Sequence, residues 1–163
     1  MEHLWSPWRL AYIKQASDAA GCIFCDALTN DDASRLVVHR GRTCFVILNL
    51  FPYNSGHLMV VPNRHVATLA GAMPEELSEM MELTRLAEIA LTEAFAPQGM
   101  NMGINLGKPA GAGILDHIHM HVVPRWNGDT NFMTVVGRTR VLPEELPEVA
   151  EKLRPLFAKH TKA

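Results

Sequence analysis

Three histidines alternate with apolar residues in one short segment, and this pattern constrains the fold more than any other feature. Residues 116–124 read Asp-His-Ile-His-Met-His-Val-Val-Pro. Successive side chains of a β-strand point to opposite faces, so His117, His119 and His121 share one face and the apolar residues between them share the other. The apolar face can pack on a core. The three imidazoles are then left lined up at the surface or in a cleft.

A row of histidines on a strand has three interpretations. It can be a solvated face, although Ser, Thr, Lys or Glu would serve that purpose equally well. It can be a catalytic metal site with three histidine ligands, but a rise of about 3.3 Å per residue separates the outer Cα atoms by roughly 13 Å. It can be three rings with different functions, since imidazole suits metal binding, proton transfer and nucleophilic attack. The strand geometry favours the third interpretation.

The composition indicates a globular protein and argues against two classes of partner. Hydrophobic residues make up 48% of the 163 residues and charged residues 20%, and no apolar run is long enough to span a membrane. A formal charge of −2 argues against binding to nucleic acid polymers, which needs a basic face. Three cysteines without an export signal predict a cytoplasmic protein and no disulfide framework.

Hydrophobic spacing and turn residues predict a single α+β domain. The predicted elements are strands at residues 36–39, 44–48, 57–61 and 100–106, a helix at 74–96, the histidine strand after a loop at 107–115, and a helix at 143–158 that is interrupted by proline. This order predicts an antiparallel sheet with one long helix and a C-terminal helix. Residues 1–20 are expected to form an arm, 21–126 the core and 127–163 a C-terminal extension.

The pair Cys22-Ile-Phe-Cys25 forms a second constellation, and alone it is ambiguous between zinc and redox chemistry. No thioredoxin-like pattern surrounds it. A structural zinc site needs two further nitrogen or sulfur ligands, for which His65 and His117 are the better candidates. Cys44 lies in an apolar strand and is expected to be a buried small hydrophobe. Spacing alone leaves the zinc site open.

Two loops have residues suited to binding phosphate or ribose. Residues 107–113, Gly-Lys-Pro-Ala-Gly-Ala-Gly, would let backbone N–H groups approach an anion closely. Their spacing matches neither a P-loop nor a Rossmann fingerprint, and such glycines are often only turn formers. Residues 49–57 supply amide, hydroxyl and imidazole groups. The neighbouring histidines favour the anion-binding interpretation of the first loop.

These motifs together resemble the histidine triad (HIT) superfamily of nucleotide hydrolases and transferases. Residues 117–123 fit its H-φ-H-φ-H-φ-φ signature, residues 54–62 look like its P-G-H-x-x-V-x-P segment, and residues 105–112 resemble its loop before the triad. The whole chain, including residues 4–9 and 124–129, is similar to the bacterial diadenosine tetraphosphate phosphorylases of the fragile-histidine-triad-like branch. The resemblance implies the HIT-like fold over residues 1–163.

The resemblance also implies a role for each matched residue. His119 lies where the family places the nucleophile that attacks an α-phosphorus and becomes a nucleotidyl-histidine. His121, also catalytic, and His57 match positions that contact the phosphates. Asn49 matches a ribose-binding position, and Asn105 a polar position near the phosphates. Further nucleotide contacts are expected at Gly111, Ala112, Gly113 and Trp126, the last of which could instead pack at a dimer interface. Gly113 and Ile114 replace a polar pair of many relatives, so phosphate contacts there would come from backbone N–H groups.

The implied protein is a zinc-containing enzyme acting on nucleotides. Zinc-containing relatives place structural ligands at positions that match Cys22, Cys25, His65 and His117. The implied reaction is the cleavage of dinucleoside polyphosphates such as diadenosine tetraphosphate by a cytoplasmic homodimer. Phosphorolysis is favoured over hydrolysis by the whole-chain similarity, but the motif itself fits both. The alternatives are a hydrolase of nucleoside phosphoramidates or other nucleotide conjugates, and a nucleotide-binding sensor with little turnover.

Overall fold

The structure is a computed structural model that describes residues 21–130 and 143–161. The predicted arm at 1–20 lies outside the described residues. The elements are α1 (Ile23–Thr29), α2 (Asp32–Arg35), β1 (Val37–Arg40), β2 (Cys44–Leu48), β3 (Leu58–Pro62), α3 (Pro74–Phe95), β4 (Gly99–Ile104), β5 (Met120–Arg125) and α4 (Leu146–Thr161). No helix within these ranges is long and apolar enough to cross a membrane. The predicted α+β class is confirmed.

The five strands form one sheet in the order β1-β2-β3-β5-β4, and all neighbouring strands are antiparallel. The last of the described strands in sequence, β5, therefore lies between β3 and β4. His121 on β5 pairs with Met59 on one side and with Gly103 on the other. Because Gly103 has no side chain, the sheet surface beside His121 is open toward β4.

The two faces of the sheet cover two separate cores. In β2, Val46 and Leu48 point to a large core under α3 and α4, whereas Phe45 and Ile47 point to a smaller core under α1. The larger core also contains Ile118 and Val122, with Met120 packed against it. This arrangement confirms that the apolar side of the histidine segment packs on the core. The histidines therefore face the α1 side of the sheet.

The histidine segment differs from the prediction in two ways. β5 begins only at Met120, so His121 alone of the three histidines lies in the regular strand. Before it, the chain is held by a hydrogen bond from the Ile118 N–H to the Val66 carbonyl (2.7 Å). His117 and His119 are buried, with relative exposures of 0% and 5%, because α1 covers them. Of the expectation that the three rings lie at the surface or in a cleft, the surface alternative does not hold for these two.

The C-terminal helix also differs from the prediction, because α4 continues through Pro155. A proline inside a helix removes a backbone hydrogen bond and costs about 3 kcal/mol. Leu153 and Phe157, on either side of it, are both fully buried in the larger core. Burial of these side chains offsets the local cost, a tertiary effect that the local sequence does not reveal.

Glu79 on α3 holds the connection between β1 and β2. Its carboxylate accepts hydrogen bonds from the backbone N–H groups of Arg42 (2.8 Å), Thr43 and Cys44 (2.9 Å), and from the Thr43 hydroxyl. Burial raises the pKa of the Glu79 carboxyl, but these hydrogen bonds outweigh burial and hold it below its ordinary value. The carboxylate therefore stabilises the fold above the ordinary glutamate pKa, and this stabilisation is lost as pH falls through the lower folded pKa.

We expect Glu79→Gln to lower the free energy of unfolding at pH 7 by roughly 1–2 kcal/mol, because an amide is a weaker acceptor for these donors. The loss of stability of the wild-type protein between about pH 5 and pH 3 should become shallower in the variant. Urea unfolding at several pH values measures both effects. Glu88→Gln, an exposed change on the same helix, serves as the control. An unchanged pH dependence in Glu79→Gln would contradict the assignment.

Candidate active site and metal cluster

Four predicted metal ligands converge at one point on the α1 side of the sheet. The Cys22 Sγ and His117 Nδ1 atoms are 3.3 Å apart, the Cys25 Sγ and His65 Nδ1 atoms 3.2 Å, and the Cys25 Sγ and His117 Nδ1 atoms 3.7 Å. All four ligand atoms lie within 4.8 Å of one another. Tetrahedral zinc with ordinary Zn–S and Zn–N bonds requires sulfur-to-nitrogen distances of about 3.5 Å. The donor set and its spacing fit such an ion.

The protonation of His117 also suits metal binding. Its Nε2–H donates to the Pro62 carbonyl at 2.8 Å, so the lone pair is on Nδ1, which faces the two cysteines. Burial lowers the pKa of His117 below its ordinary value, against the hydrogen bond to Pro62, and favours the neutral ring that a metal binds. A hydrogen bond from the second ring nitrogen to a carbonyl is typical of histidine ligands. His117 is therefore already oriented as a ligand.

Three separate segments supply the four ligands: the start of α1, the loop after β3 with His65, and the loop before β5 with His117. Cys22 immediately precedes α1 and Cys25 lies within it, while α1 is anchored by the buried Phe24 and Ala27. Seven residues contain too little periodicity for the sequence to predict this helix. The third cysteine, Cys44, is fully buried in the larger core and lies outside the cluster, which confirms its prediction as a buried small hydrophobe.

His65 is positioned by an ion pair between the neighbouring Arg64, which is exposed, and the buried Glu76 in the first turn of α3. The preceding residue, Arg64, donates to both carboxylate oxygens of Glu76 at 2.9 and 2.8 Å and to the Gly71 carbonyl at 2.8 Å. Glu76 also accepts from the Met73 N–H at 2.7 Å. These contacts connect the segment that carries His65 to the first turn of the long helix.

His119 is held with its reactive nitrogen unprotonated. Its Nδ1–H donates to the His117 carbonyl at 2.9 Å, which places the lone pair on Nε2. Burial lowers the pKa of His119 below its ordinary value and outweighs the opposing hydrogen bond. The Phe24 ring lies 5.0 Å from the His119 ring and 5.4 Å from the His117 ring. His119 is therefore a neutral, oriented imidazole, as a nucleophile requires.

A chain of hydrogen bonds determines the protonation of His121. The Tyr53 N–H donates to the His57 Nδ1 at 3.1 Å, so the proton of His57 is on Nε2. That Nε2–H donates in turn to the His121 Nδ1 at 2.9 Å. In neutral His121 the proton is consequently on Nε2, where it can donate to an anionic group. The His119 and His121 rings are 4.8 Å apart between centroids, so an acceptor and a donor imidazole lie side by side.

A cleft of about 380 Å³ extends from His121 along β4 and β5. The polar residues that line it are Tyr53, Asn54, Asn101, Asn105, His121, Arg125 and Thr130. The lining within the described residues contains no carboxylate. His119 lies beside the His121 end of the cleft. The cleft thus has the shape and the hydrogen-bond donors for an elongated anionic ligand that reaches His119 at one end.

The other residues predicted to contact a nucleotide differ in their position relative to the cleft. Asn105 lines the cleft. Asn49 is buried beside His57, with its Oδ1 accepting from the Phe51 N–H at 2.9 Å and its Nδ2 3.4 Å from the His57 Nδ1. Trp126 follows β5 in a half-buried turn. Their contacts to a nucleotide stay predictions.

The glycine-containing loop before the histidines is closed by its own hydrogen bonds. The N–H groups of Gly111 and Ala112 donate to loop carbonyls at 3.0 and 3.3 Å. Gly111 has a φ of 93°, in the left-handed region that glycine adopts without strain. Gly113 follows in the chain and is partly buried. Phosphate binding by these three N–H groups stays a prediction, and for two of them it would require the loop to rearrange.

Arg125 is a lining residue to which the sequence analysis assigns no role. It lies two and four residues beyond Val123 and His121, and all three line the cleft. The alternation of side chains along the strand continues past the histidines, and this continuation identifies Arg125 as a residue on the same face. Its ion-pair partner Asp129 is only 11% exposed. Asn101, which also lines the cleft and has no role assigned from the sequence, lies opposite Val123 on β4.

Comparison with known proteins gives a consistent result. A family model described as HIT domain matches residues 30–128. The chain is 38% identical to the AP-4-A phosphorylase of Mycobacterium tuberculosis over 167 aligned residues, which cover 98% of this chain and 86% of that protein. It is 31% identical to the asymmetrical bis(5'-nucleosyl)-tetraphosphatase of Schizosaccharomyces pombe over 57% of this chain and 50% of that protein.

Among solved structures, the fold is similar to a Zn-bound histidine triad family protein from Mycobacterium smegmatis. The TM-score is 0.71 with 29% sequence identity, over 87% of this chain and 96% of that one. The hypothetical histidine triad nucleotide-binding protein ST2152 from Sulfolobus tokodaii has a TM-score of 0.69 with 23% identity, over 85% of this chain and 93% of that one. The second comparison supports the fold alone.

Proposed function

This chain belongs to the HIT family, and on that premise we propose that it cleaves dinucleoside polyphosphates such as diadenosine tetraphosphate through a nucleotidyl-His119 intermediate. One observation carries the proposal: a buried His119 with its lone pair on Nε2 lies beside His121, at the end of a cleft whose described lining contains no carboxylate. The similarity to AP-4-A phosphorylase over nearly the whole chain supports this substrate class.

The first chemical step is the attack of the His119 Nε2 on the α-phosphorus. A P–N bond forms while the bond from phosphorus to the bridging oxygen of the leaving polyphosphate breaks, and that oxygen retains the electron pair. The His117 carbonyl keeps the Nδ1 proton of His119 in place, so the imidazolium that forms at attack is stabilised by an existing hydrogen bond.

His121 and His57 support the charge that develops on phosphorus. The Tyr53 N–H donates to the His57 ring and the His57 ring donates to the His121 ring, which places the proton of neutral His121 on Nε2. A donor fixed in advance at the reacting centre stabilises developing negative charge without reorganisation. His57 is fully buried and acts through His121, so we assign it a positioning role.

The second step transfers the nucleotidyl group from His119 to an acceptor oxygen. With inorganic phosphate as acceptor the P–N bond breaks, a P–O bond forms, and diadenosine tetraphosphate is converted to ADP and ATP. With water the products are AMP and ATP. We propose phosphate as the acceptor, and the similarity to AP-4-A phosphorylase supports this choice.

We also propose that Cys22, Cys25, His65 and His117 hold a structural zinc ion. The S–N spacing, the tautomer of His117 and the similarity to a Zn-bound relative support this assignment. Zinc at this position would cross-link α1 to the histidine segment. His117 would then connect the two sites, since its ring belongs to the cluster and its carbonyl orients His119. The proposal includes a cytoplasmic homodimer in which residues 1–163 form one domain.

A phosphate-dependence assay tests the proposed reaction. We expect purified protein to convert diadenosine tetraphosphate to ADP and ATP only when inorganic phosphate is present, with rates that saturate in phosphate. Separation of the nucleotides by anion-exchange chromatography measures the products. Equal rates of AMP and ATP formation with and without phosphate would instead identify a hydrolase. No turnover under either condition would contradict the enzymatic proposal.

A further inference from the structure

We propose that Arg125, held in place by Asp129 and Asn101, binds the distal phosphates of the leaving group and so selects substrates with long polyphosphate chains. This inference rests on the proposed function and assigns to the cleft a subsite beyond the reacting phosphorus. Three independent features carry it: the position of Arg125 along β5, the way in which its guanidinium is fixed, and the charge of the cleft.

The position of Arg125 separates it from the reacting phosphorus. It lies four residues after His121 on the same strand, which corresponds to about 13 Å between Cα atoms at a rise of about 3.3 Å per residue. Both side chains line the same cleft. A chain of linked phosphates that begins with its α-phosphate at His121 and follows the cleft extends toward Arg125.

The guanidinium of Arg125 is fixed before a ligand arrives. Its Nε–H and one Nη2–H donate to the two oxygens of Asp129 at 2.6 and 2.8 Å, and one Nη1–H donates to the Asn101 Oδ1 at 2.7 Å. The hydrogen bonds from Arg125 hold the pKa of Asp129 well below its usual range, so the carboxylate stays ionised. Asn54, which also lines the cleft, donates to the same carboxylate at 2.7 Å.

These contacts leave the guanidinium able to bind a further oxygen. An arginine side chain has five N–H bonds, and three of them are used in the contacts with Asp129 and Asn101. One N–H on each terminal nitrogen remains, and the side chain is 43% exposed, in contrast to its partner Asp129. Since phosphate oxygens are the usual partners of a rigid guanidinium, a phosphate is the chemistry that this site favours.

The composition of the described cleft favours an anionic ligand over a cationic one. Asp129 lies behind Arg125 and is not part of the lining, which contains amides, an imidazole and hydroxyls but no carboxylate within the described residues. Arg125 is therefore the one formally charged side chain that the described cleft presents to a ligand. A polyphosphate placed with its α-phosphorus at His119 would extend toward it.

The distance also distinguishes this subsite from the site of the acceptor phosphate. An attacking phosphate must contact the phosphorus bound to His119, whereas the proposed subsite lies further along β5 from His121. Arg125 should consequently contribute to formation of the intermediate from a long substrate, and not to its reaction with inorganic phosphate. A purely structural Arg125 would instead affect every substrate alike.

The test compares two substrates of one enzyme variant. For Arg125→Met, we expect kcat/KM for diadenosine tetraphosphate to fall by about 10- to 100-fold, the usual effect of a lost charge-assisted hydrogen bond. With adenosine 5'-phosphoramidate, which has one phosphate, kcat/KM should change by less than about 2-fold. The KM for inorganic phosphate should stay unchanged. Arg85→Gln, an arginine in an exposed ion pair on α3, is the matched control and should leave both substrates unaffected.

The other possible outcomes would contradict either the distal phosphate subsite or the proposed function. An equal fall for both substrates, or no fall for either, would overturn the distal subsite. A raised KM for inorganic phosphate with an unchanged kcat/KM for diadenosine tetraphosphate would overturn it too, because Arg125 would then bind the acceptor. If the wild-type protein turns over neither substrate, the proposed function itself fails, independently of Arg125. Activity of the variant on the phosphoramidate also shows that it is folded.

Discussion

Replacing His119 with alanine is expected to reduce kcat for diadenosine tetraphosphate by about 10⁴-fold or more, as removal of a covalent nucleophile generally does. The variant loses the atom that bonds to phosphorus, and the described site offers no equivalent substitute. His117 faces the cysteines through its Nδ1, and the His121 Nδ1 accepts from His57. The neighbouring rings are thus occupied in other hydrogen bonds or oriented elsewhere.

Steady-state kinetics with product analysis measure this loss, and His160→Gln is the matched control. His160 lies on α4 and contacts Glu93, away from the cleft, so its substitution should leave kcat within about 2-fold. Zinc content and urea unfolding of His119→Ala verify that the metal cluster and the fold persist. Turnover within about 10-fold of the wild-type rate would exclude covalent catalysis by His119.

Replacing Cys25 with serine is expected to remove the bound zinc and to lower the free energy of unfolding by about 3 kcal/mol or more. Cys25 lies within hydrogen-bond distance of both His65 and His117, so its sulfur contacts two of the other three predicted ligands. Without a metal, the pKa of Cys25 is raised by burial and by the neighbouring Cys22, which disfavours two adjacent thiolates. A metal ion compensates this charge.

The third cysteine provides the control for this prediction. Cys44→Ala removes a buried sulfur from the larger core and should cost about 1 kcal/mol while the zinc content stays near one ion per chain. Elemental analysis of protein purified without added zinc and chemical unfolding with and without a chelator measure the two quantities. A wild-type protein without metal, or with a stability that a chelator leaves unchanged, would contradict a structural zinc site.

The sequence was most informative where the two-residue repeat of a β-strand determines which face of the sheet each side chain occupies. Alternation along residues 117–122 correctly separates the histidines from Ile118 and Val122, which the larger core buries. The antiparallel α+β architecture likewise follows from the order of the elements. Both inferences depend only on local geometry and on the need to bury apolar surface.

Local patterns could not predict the features that depend on contacts between distant segments. The burial of His117 and His119 is caused by α1, which is too short to show a helical period. The continuity of α4 through Pro155 depends on packing against the core. In both cases a tertiary contact overrides the local signal.

The protonation states of the histidines cannot be predicted from the sequence either. They depend on the carbonyls of Pro62 and His117 and on the Tyr53 N–H, and these partners are known only once the chain has folded. The sequence can show that three imidazoles have different roles, and hydrogen bonding decides which nitrogen performs each of them. His117 is the clearest example, because its ring and its carbonyl act on two different sites.

Direct detection of the covalent intermediate tests the central claim. The wild-type protein is mixed with diadenosine tetraphosphate without inorganic phosphate, stopped under conditions that preserve P–N bonds, digested and analysed by mass spectrometry. We expect one peptide to gain the mass of a single adenylyl group, with fragmentation placing it on His119, and we expect phosphate to discharge it as ADP. An adduct on another residue, or turnover without any adduct within the first catalytic cycle, would contradict the mechanism.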